Sequence, residues 1–272
     1  MSKIFICADI EGTANIQNPL ELKKSEPLYH GYFAEQMTRE ITAACCGAKE
    51  AGAERIIIKD SHGAGNNILP DQLPEDTELI RGWGLHPYHM MFGIEPDFDG
   101  VFLTGCHSAG GTDTSPLAHT NNSKNCWVKI NGEIAGEAYI NSLTAAYAGV
   151  PTLLITGDAG ICEFMKEKIP AAETVIATTY TGNASCSRHP GAVSEEIRQA
   201  AQRALSIPKD KCFPKMPEVF RTEICFRNHL RARGASFYPG AVQKGSHIVA
   251  FTHEDWYEVL RFFFFVLSDN LV

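Results

Sequence analysis

Three short apolar runs, each ending in residues that bind protons or cations, constrain this chain more than any other feature. Ile4-Phe5-Ile6-Cys7-Ala8 leads into Asp9-Ile10-Glu11-Gly12, Ile56-Ile57-Ile58 into Lys59-Asp60-Ser61-His62-Gly63, and Val101-Phe102-Leu103 into Thr104-Gly105-Cys106-His107. Strands that are apolar without alternation are buried on both faces, which is the condition of a parallel sheet covered by helices. Open sheets of that kind bind ligands beyond the carboxyl ends of their strands, where all three polar clusters fall.

Helical periodicity fills the gaps between these runs. Phe33, Met37, Ile41, Cys45 and Ala48 recur every three or four residues and predict a helix over 32–52 with one buried stripe. The pattern continues with strands at 3–8, 55–59, 100–105 and 151–156, and helices at 136–147, 161–168 and 190–205. The expected fold class is α/β, a mainly parallel sheet flanked by helices, with a smaller C-terminal α+β part. A stretch at 206–217 containing three prolines marks the boundary, giving a metal-binding catalytic domain over 1–212 and a smaller unit over 213–272, packed on the first and involved in assembly. The smaller unit reads as strands at 219–226 and 246–251 and a helix at 254–268.

Composition narrows the partners. A net charge of −8 with no cluster of Lys or Arg argues against nucleic acid and against an anionic membrane surface, since both require concentrated positive charge. The most apolar stretch, 262–267, is too short to span a bilayer and reads as a core or subunit-interface helix. Nine cysteines without CxxC spacing fit neither a closed disulfide framework nor a zinc ribbon, and the opening residues lack the apolar core of a signal peptide. A cytoplasmic protein acting on a small molecule or peptide is the expectation.

Each polar cluster has an ordinary explanation when taken alone. Asp9 can make a turn while Glu11 is exposed, Asp60 and Ser61 can cap, and Glu137, at the start of a helix after the hairpin-like turn Ile130-Asn131-Gly132-Glu133, can merely complement the helix dipole. In extended conformation Asp9 and Glu11 project to the same side, and Asp60 is in sequence reach to orient His62. Asp9, Glu11, His62, His107 and Glu137 together make three carboxylates and two imidazoles, a mixture that suits two zinc ions or other divalent transition metals better than calcium or magnesium. His119 ends a loop containing Gly110-Gly111 and Pro116; it can exchange a proton with a bound substrate or stabilise an oxyanion, or it can be a merely exposed histidine. Templates for other chemistries fail. There is no HExxH, no GxSxG, no GxxxxGK[ST] and no GxGxxG after the first strand.

These residues resemble the zinc-dependent D-aminopeptidases of the DppA type. The resemblance runs over almost the whole chain, through Asp9-Ile10-Glu11-Gly12, Asp60-Ser61-His62, Gly105-Cys106-His107, His119-Thr120, Gly136-Glu137, Val150-Pro151, Gly157-Asp158, Glu223-Ile224-Cys225-Phe226 and Tyr238-Pro239-Gly240. It implies two zinc ions per subunit held by Asp9, Glu11, His62, His107 and Glu137, with His119 as the catalytic histidine. It also implies a homo-oligomer, a decamer, that hydrolyses short peptides or amino-acid amides from the free N-terminus, with possible selectivity for D-residues. The segments 120–125 and 181–183 depart from the family pattern, which bears on substrate choice. Two other readings stand beside it: a two-metal hydrolase of another amide, ester or phosphoester, and a non-catalytic binding or assembly protein stabilised by metal. The absence of cysteine from the donor set weighs against a purely structural zinc site.

Overall fold

The computed structural model describes residues 2–267. Seven strands form one sheet: β1 (Ser2–Ala8), β2 (Ala53–Asp60), β3 (Thr77–Ile80), β4 (Gly100–Cys106), β7 (Thr152–Asp158), β8 (Glu173–Thr181) and β9 (Ala184–Ser187), in the order β3-β2-β1-β4-β7-β8-β9. All neighbours pair in parallel except β9, which returns antiparallel from β8. Every residue of β4 and β7 is buried, as the unalternating apolar runs require. Chain order reverses between β1 and β4, so a crevice opens where the connections diverge to opposite sides of the sheet.

The helices are α1 (Ala34–Glu50), α2 (Glu137–Tyr147), α3 (Ala159–Lys168), α4 (Pro190–Ala204), α5 (His229–Ala235) and α6 (Trp256–Leu267). Helices α1 and α4 pack on each other and on the strands, with α1 against β1, β2 and β4, and α4 against β7 and β8; α2 and α3 form a second helical group against β4, β7 and β8. The predicted stripe of α1 is confirmed: Met37, Ile41, Cys45 and Ala48 are all buried. Asp158 ends β7 and caps α3 by accepting from the backbone N–H of Ile161 at 2.9 Å.

A second, antiparallel sheet has the order β11-β12-β10-β5-β6, built from β5 (Asn125–Ile130), β6 (Glu133–Ile134), β10 (Phe220–Phe226), β11 (Val242–Gln243) and β12 (Ile248–His253). It does not consist of residues 213–272 alone, because the hairpin β5–β6 from the middle of the chain completes it. The hairpin turn was legible: Asn131 and Gly132 both take positive φ, 51° and 90°, as a two-residue turn of this hand demands. Its pairing with β10 was not, since strand partners about 90 residues apart leave no local mark. Helix α6 buries Phe262, Phe263, Val266 and Leu267 and leaves Phe265 exposed; Ser268, the last residue of the helix expected there, lies outside the described residues.

Candidate metal centre

Six predicted side chains converge beyond the carboxyl ends of β1, β2 and β4, beside the reversal point of the sheet. Asp9 and Glu11 follow β1, His62 follows β2, His107 follows β4, Glu137 opens α2, and His119 ends the connection from β4 to β5. Strand alternation is not what aligns Asp9 with Glu11, since β1 stops at Ala8 and the chain turns immediately, with Thr13 N–H donating to Ile10 C=O at 2.9 Å. Two glycines make this turn possible. A Cβ on Gly12 would lie 1.8 Å from the carbonyl oxygen of Cys106, and Gly105, at φ +66°, would carry one 2.1 Å from the carbonyl oxygen of Asp9. The ends of β1 and β4 therefore approach as backbone against backbone, which carries Asp9 and Glu11 to His107.

The carboxylates are shared among the imidazoles. Asp9 directs Oδ1 to His62 Nδ1 at 3.3 Å and Oδ2 to His107 Nε2 at 3.6 Å. Glu11 Oε2 lies 3.0 Å from His62 Nδ1 and Oε1 lies 3.9 Å from His119 Nε2, while Glu137 Oε1 sits 3.5 Å from His107 Nε2 and 3.6 Å from His119 Nε2. Three groupings place their donor atoms close enough to grip one ion: Asp9, Glu11 and His62; Asp9, His107 and Glu137; and Glu11, His107 and His119. Asp9, Glu11 and His107 each belong to two of them, so the groupings overlap in one cluster.

The cluster fits cations better than it fits itself. Among the described residues Glu11 Oε2 and His107 Nε2 are buried without a hydrogen-bond partner, even though His62 Nδ1 and Glu137 Oε1 are near. His107 Nδ1 lies 2.9 Å from Ser108 C=O and His119 Nδ1 lies 2.8 Å from Leu117 C=O. A carbonyl only accepts, so each Nδ1 carries a proton, and in the neutral ring Nε2 turns its lone pair to the cluster, the tautomer a metal ligand needs. The two rings stack at 4.1 Å, which fixes His119 against His107.

Titration follows the crowding of charge. Burial and the neighbouring Glu11 raise the carboxyl of Asp9. Burial opposes charge on His62, yet Glu11 and Asp9 outweigh it and raise the imidazole; Glu137, Glu11 and Asp9 do the same for His107. Burial likewise works against ionised Glu11 and Glu137, and the histidines overcome it in both. Three crowded carboxylates thus draw in positive charge, as protons when nothing else is bound.

Asp60 does not orient His62. It accepts from the N–H groups of Asn67 at 2.6 Å and Ile68 at 2.9 Å and from Asn67 Nδ2 at 2.7 Å, so it braces the loop while Asn67 in turn donates to His62 C=O at 2.7 Å. The chain directly after His119 is also held. Thr120 is fully buried and donates from Oγ1 to Ala135 C=O at 3.1 Å, and Asn121 N–H donates to Glu137 Oε1 at 2.6 Å. Both anchors come from residues flanking β5–β6, so the small sheet fixes a loop that composition alone would leave free.

Residues that sequence reading passed over form the remaining wall of the crevice, a cavity of about 250 Å³. Trp83 stacks on His89 at 4.3 Å, donates from Nε1 to Gly63 C=O at 2.8 Å and receives Lys59 Nζ 4.5 Å from its ring centre. Burial holds the His89 imidazole down to about 4, so it is neutral. The only local signal was Gly82-Trp83-Gly84, an aromatic residue between two turn formers.

Comparison with known proteins agrees with the resemblance seen in the sequence. The profile of the peptidase M55 family, described as D-aminopeptidase, matches residues 2–265. The D-aminopeptidase of Bacillus subtilis (strain 168) is 26% identical over 265 residues, covering 95% of this chain and 94% of that protein. A solved structure, described as "Zn-dependent D-aminopeptidase DppA from Bacillus subtilis, a self-compartmentalizing protease", shares the fold with a TM-score of 0.88 at 23% identity, covering 97% of this chain and 96% of that one.

Proposed function

Since the chain belongs to the D-aminopeptidase family of peptidases, we propose that it is a zinc-dependent aminopeptidase that hydrolyses short peptides or amino-acid amides from the free N-terminus, with D-residues as the preferred hand. In this reading Asp9, Glu11, His62, His107 and Glu137 hold two zinc ions and His119 is the catalytic histidine. The observation that carries it is the set of three carboxylates, Asp9 and Glu11 buried and Glu137 largely so, facing imidazole Nε2 and Nδ1 atoms across distances of 3.0 to 3.6 Å, with Glu11 Oε2 and His107 Nε2 lacking a hydrogen bond among the described residues.

When bound, two such ions lower the pKa of water and polarise a carbonyl. The chain's own groups account for the rest. Asp9, with one oxygen toward His62 and the other toward His107, would be able to hold a cation on either side. His119, partly exposed at the edge of the cluster and held by Leu117 C=O and the His107 ring, exchanges a proton with the leaving amine through Nε2.

Assembly into a homo-oligomer, a decamer, belongs to the same reading. Leu230, Phe237, Val242 and Phe265 are large apolar side chains exposed on the C-terminal part, and the B. subtilis structure is described as self-compartmentalizing. No helix among the described residues is long and apolar enough to cross a membrane. A cytoplasmic site of action is proposed with it, supported by nine cysteines that all remain free thiols.

Metal content and amidase activity test the assignment together. Asp9→Ala is expected to lose both metal and turnover, and His119→Ala to keep about two ions per chain while kcat falls by roughly 10²- to 10⁴-fold. Full activity in the His119 variant, or undiminished metal in the Asp9 variant, refutes the roles given.

A further inference from the structure

A second, smaller cavity of about 40 Å³ adjoins the metal centre, and His89, Met90, Asn121 and Glu137 line both. We propose that this annex is the side-chain subsite of the enzyme, and that it selects substrates whose first residue carries a short aliphatic side chain, from methyl to isobutyl, over aromatic ones. The inference rests on the aminopeptidase reading above and gives it a substrate class.

The walls set the chemistry. Beyond the shared residues the annex is closed by Ile140 of α2 and by Leu260, Phe263 and Leu267 of α6. Two of the polar residues on its inner wall are already engaged: Asn141 Nδ2 turns to Met90 Sδ at 3.5 Å and Cys7 Sγ at 3.7 Å, and Thr144 Oγ1 donates to Ile140 C=O at 2.8 Å and accepts from Trp256 Nε1 at 3.1 Å. Past the polar mouth, a charged side chain reaching the wall of Ile140, Leu260, Phe263 and Leu267 would lose its water against apolar carbon. An apolar one would gain by leaving water.

Size follows from volume. A water-sized probe occupies on the order of 10–15 Å³, so the annex admits about three heavy atoms beyond its mouth. An isobutyl group fits that space, and a benzyl group exceeds it. Position follows from Glu137, which belongs to the metal centre and also lines the mouth. In a substrate whose scissile carbonyl lies at this centre, the carbon next to that carbonyl bears both the amine and the first side chain, so that side chain is the one nearest the annex.

The mouth is also built rigidly. His89 and Asn121 stand on either side at φ 47° and 68°, in the left-handed region that side chains seldom occupy. Each is held there: His89 by its stack on Trp83, and Asn121 by donation from its N–H to Glu137 Oε1. Strained backbone maintained by neighbouring contacts at the edge of a site is the pattern of a pocket kept in one shape.

The test uses the zinc-loaded full chain, with glycine, alanine, leucine and phenylalanine amides in both hands, and the variants Ile140→Phe, which fills the annex, and Ile140→Ala, which enlarges it. In the unaltered protein kcat/KM should rise from glycine to leucine amide by about fourfold per buried methylene, and drop at least tenfold from leucine to phenylalanine. Ile140→Phe should cut the leucine-to-glycine ratio at least tenfold, and Ile140→Ala should raise the phenylalanine-to-leucine ratio at least tenfold. Ratios are read within one protein, so partial loss of folded enzyme cancels. Ratios that stay within twofold in both variants, or a preference of the unaltered enzyme for phenylalanine amide, overturn the subsite alone. Failure of the metal-loaded unaltered protein to cleave any of these amides overturns the aminopeptidase reading, and the subsite falls with it.

Discussion

Glu40 ties the turn beside the metal centre to α1 and offers a test that does not depend on catalysis. Its side chain is only 2% exposed, with Oε1 accepting from Ala14 N–H at 2.9 Å and from Gln36 Nε2 at 3.1 Å, while Oε2 is buried without a partner. Burial pushes this carboxyl from its ordinary 4.5 up to about 7, against the lowering effect of those two donors. The folded chain therefore keeps a proton that the unfolded chain has already released. Below pH 4.5 both states are protonated and Glu40 contributes no pH dependence. As pH rises from 4.5 to 7 the folded state binds more protons than the unfolded one, so stability is lost, and above 7 the loss is complete. At about 1.4 kcal/mol per pH unit the loss amounts to roughly 3 kcal/mol. Glu40→Gln keeps the acceptor for Ala14 and removes the titration. The amide also places an unpaired NH2 where Oε2 stood, a penalty of about 1–3 kcal/mol that is the same at every pH. The difference in unfolding free energy between variant and unaltered protein should thus move by about 3 kcal/mol in favour of the variant between pH 4.5 and pH 8. That is a relative rise in Tm of roughly 6 °C for a chain of this size. Urea unfolding and calorimetry in the presence of a chelator, which keeps cation occupancy from varying with pH, measure it. A difference that is constant across the range would show that the buried Glu40 is ionised throughout and that the reasoning is wrong.

Three further outcomes are expected. Gly12→Ala places a Cβ 1.8 Å from the Cys106 carbonyl oxygen, so the ends of β1 and β4 must separate; a destabilisation of about 3 kcal/mol or more in urea, with fewer metal ions per chain, is expected, and unchanged metal content would refute the positional role. Asp60→Ala strips the partner from the N–H groups of Asn67 and Ile68; with about 1–3 kcal/mol for each orphaned group, a loss of at least 2 kcal/mol and weaker zinc binding through His62 are predicted, to be read by unfolding and metal titration. Chelation should lower Tm as well as abolish activity, because ions that bind only the folded centre stabilise by about 2.7 kcal/mol at a hundred times Kd; a Tm indifferent to chelator would mean that the three carboxylates do not hold a cation.

Much of the candidate centre could be read from local pattern. The runs at Ile4, Ile56 and Val101 were apolar without alternation, which marks buried parallel strands, and the polar residues after each run were then bound to emerge at one edge of the sheet. The glycine of Asp9-Ile10-Glu11-Gly12 likewise announced a turn, and Asn131-Gly132 a hairpin. What no local pattern carried was the partner of each element. The pairing of β5 with β10, the bracing of His119 by Thr120 and Asn121, and the placement of Trp83 and His89 opposite the carboxylates all depend on which surfaces meet after the chain has closed on itself. Asp60 shows the same limit: its nearness to His62 in sequence pointed to one partner, and the folded loop supplied Asn67 and Ile68 instead. Residue type and spacing determine which side chains can bind a cation and which end of a strand they leave, because hydrophobic period and turn chemistry act over a few residues. Only tertiary structure decides that Asp9, His62 and Glu137, more than 120 positions apart between the first and last, share one crevice and that a small apolar annex opens beside it, because packing between distant segments has no sequence distance to betray it.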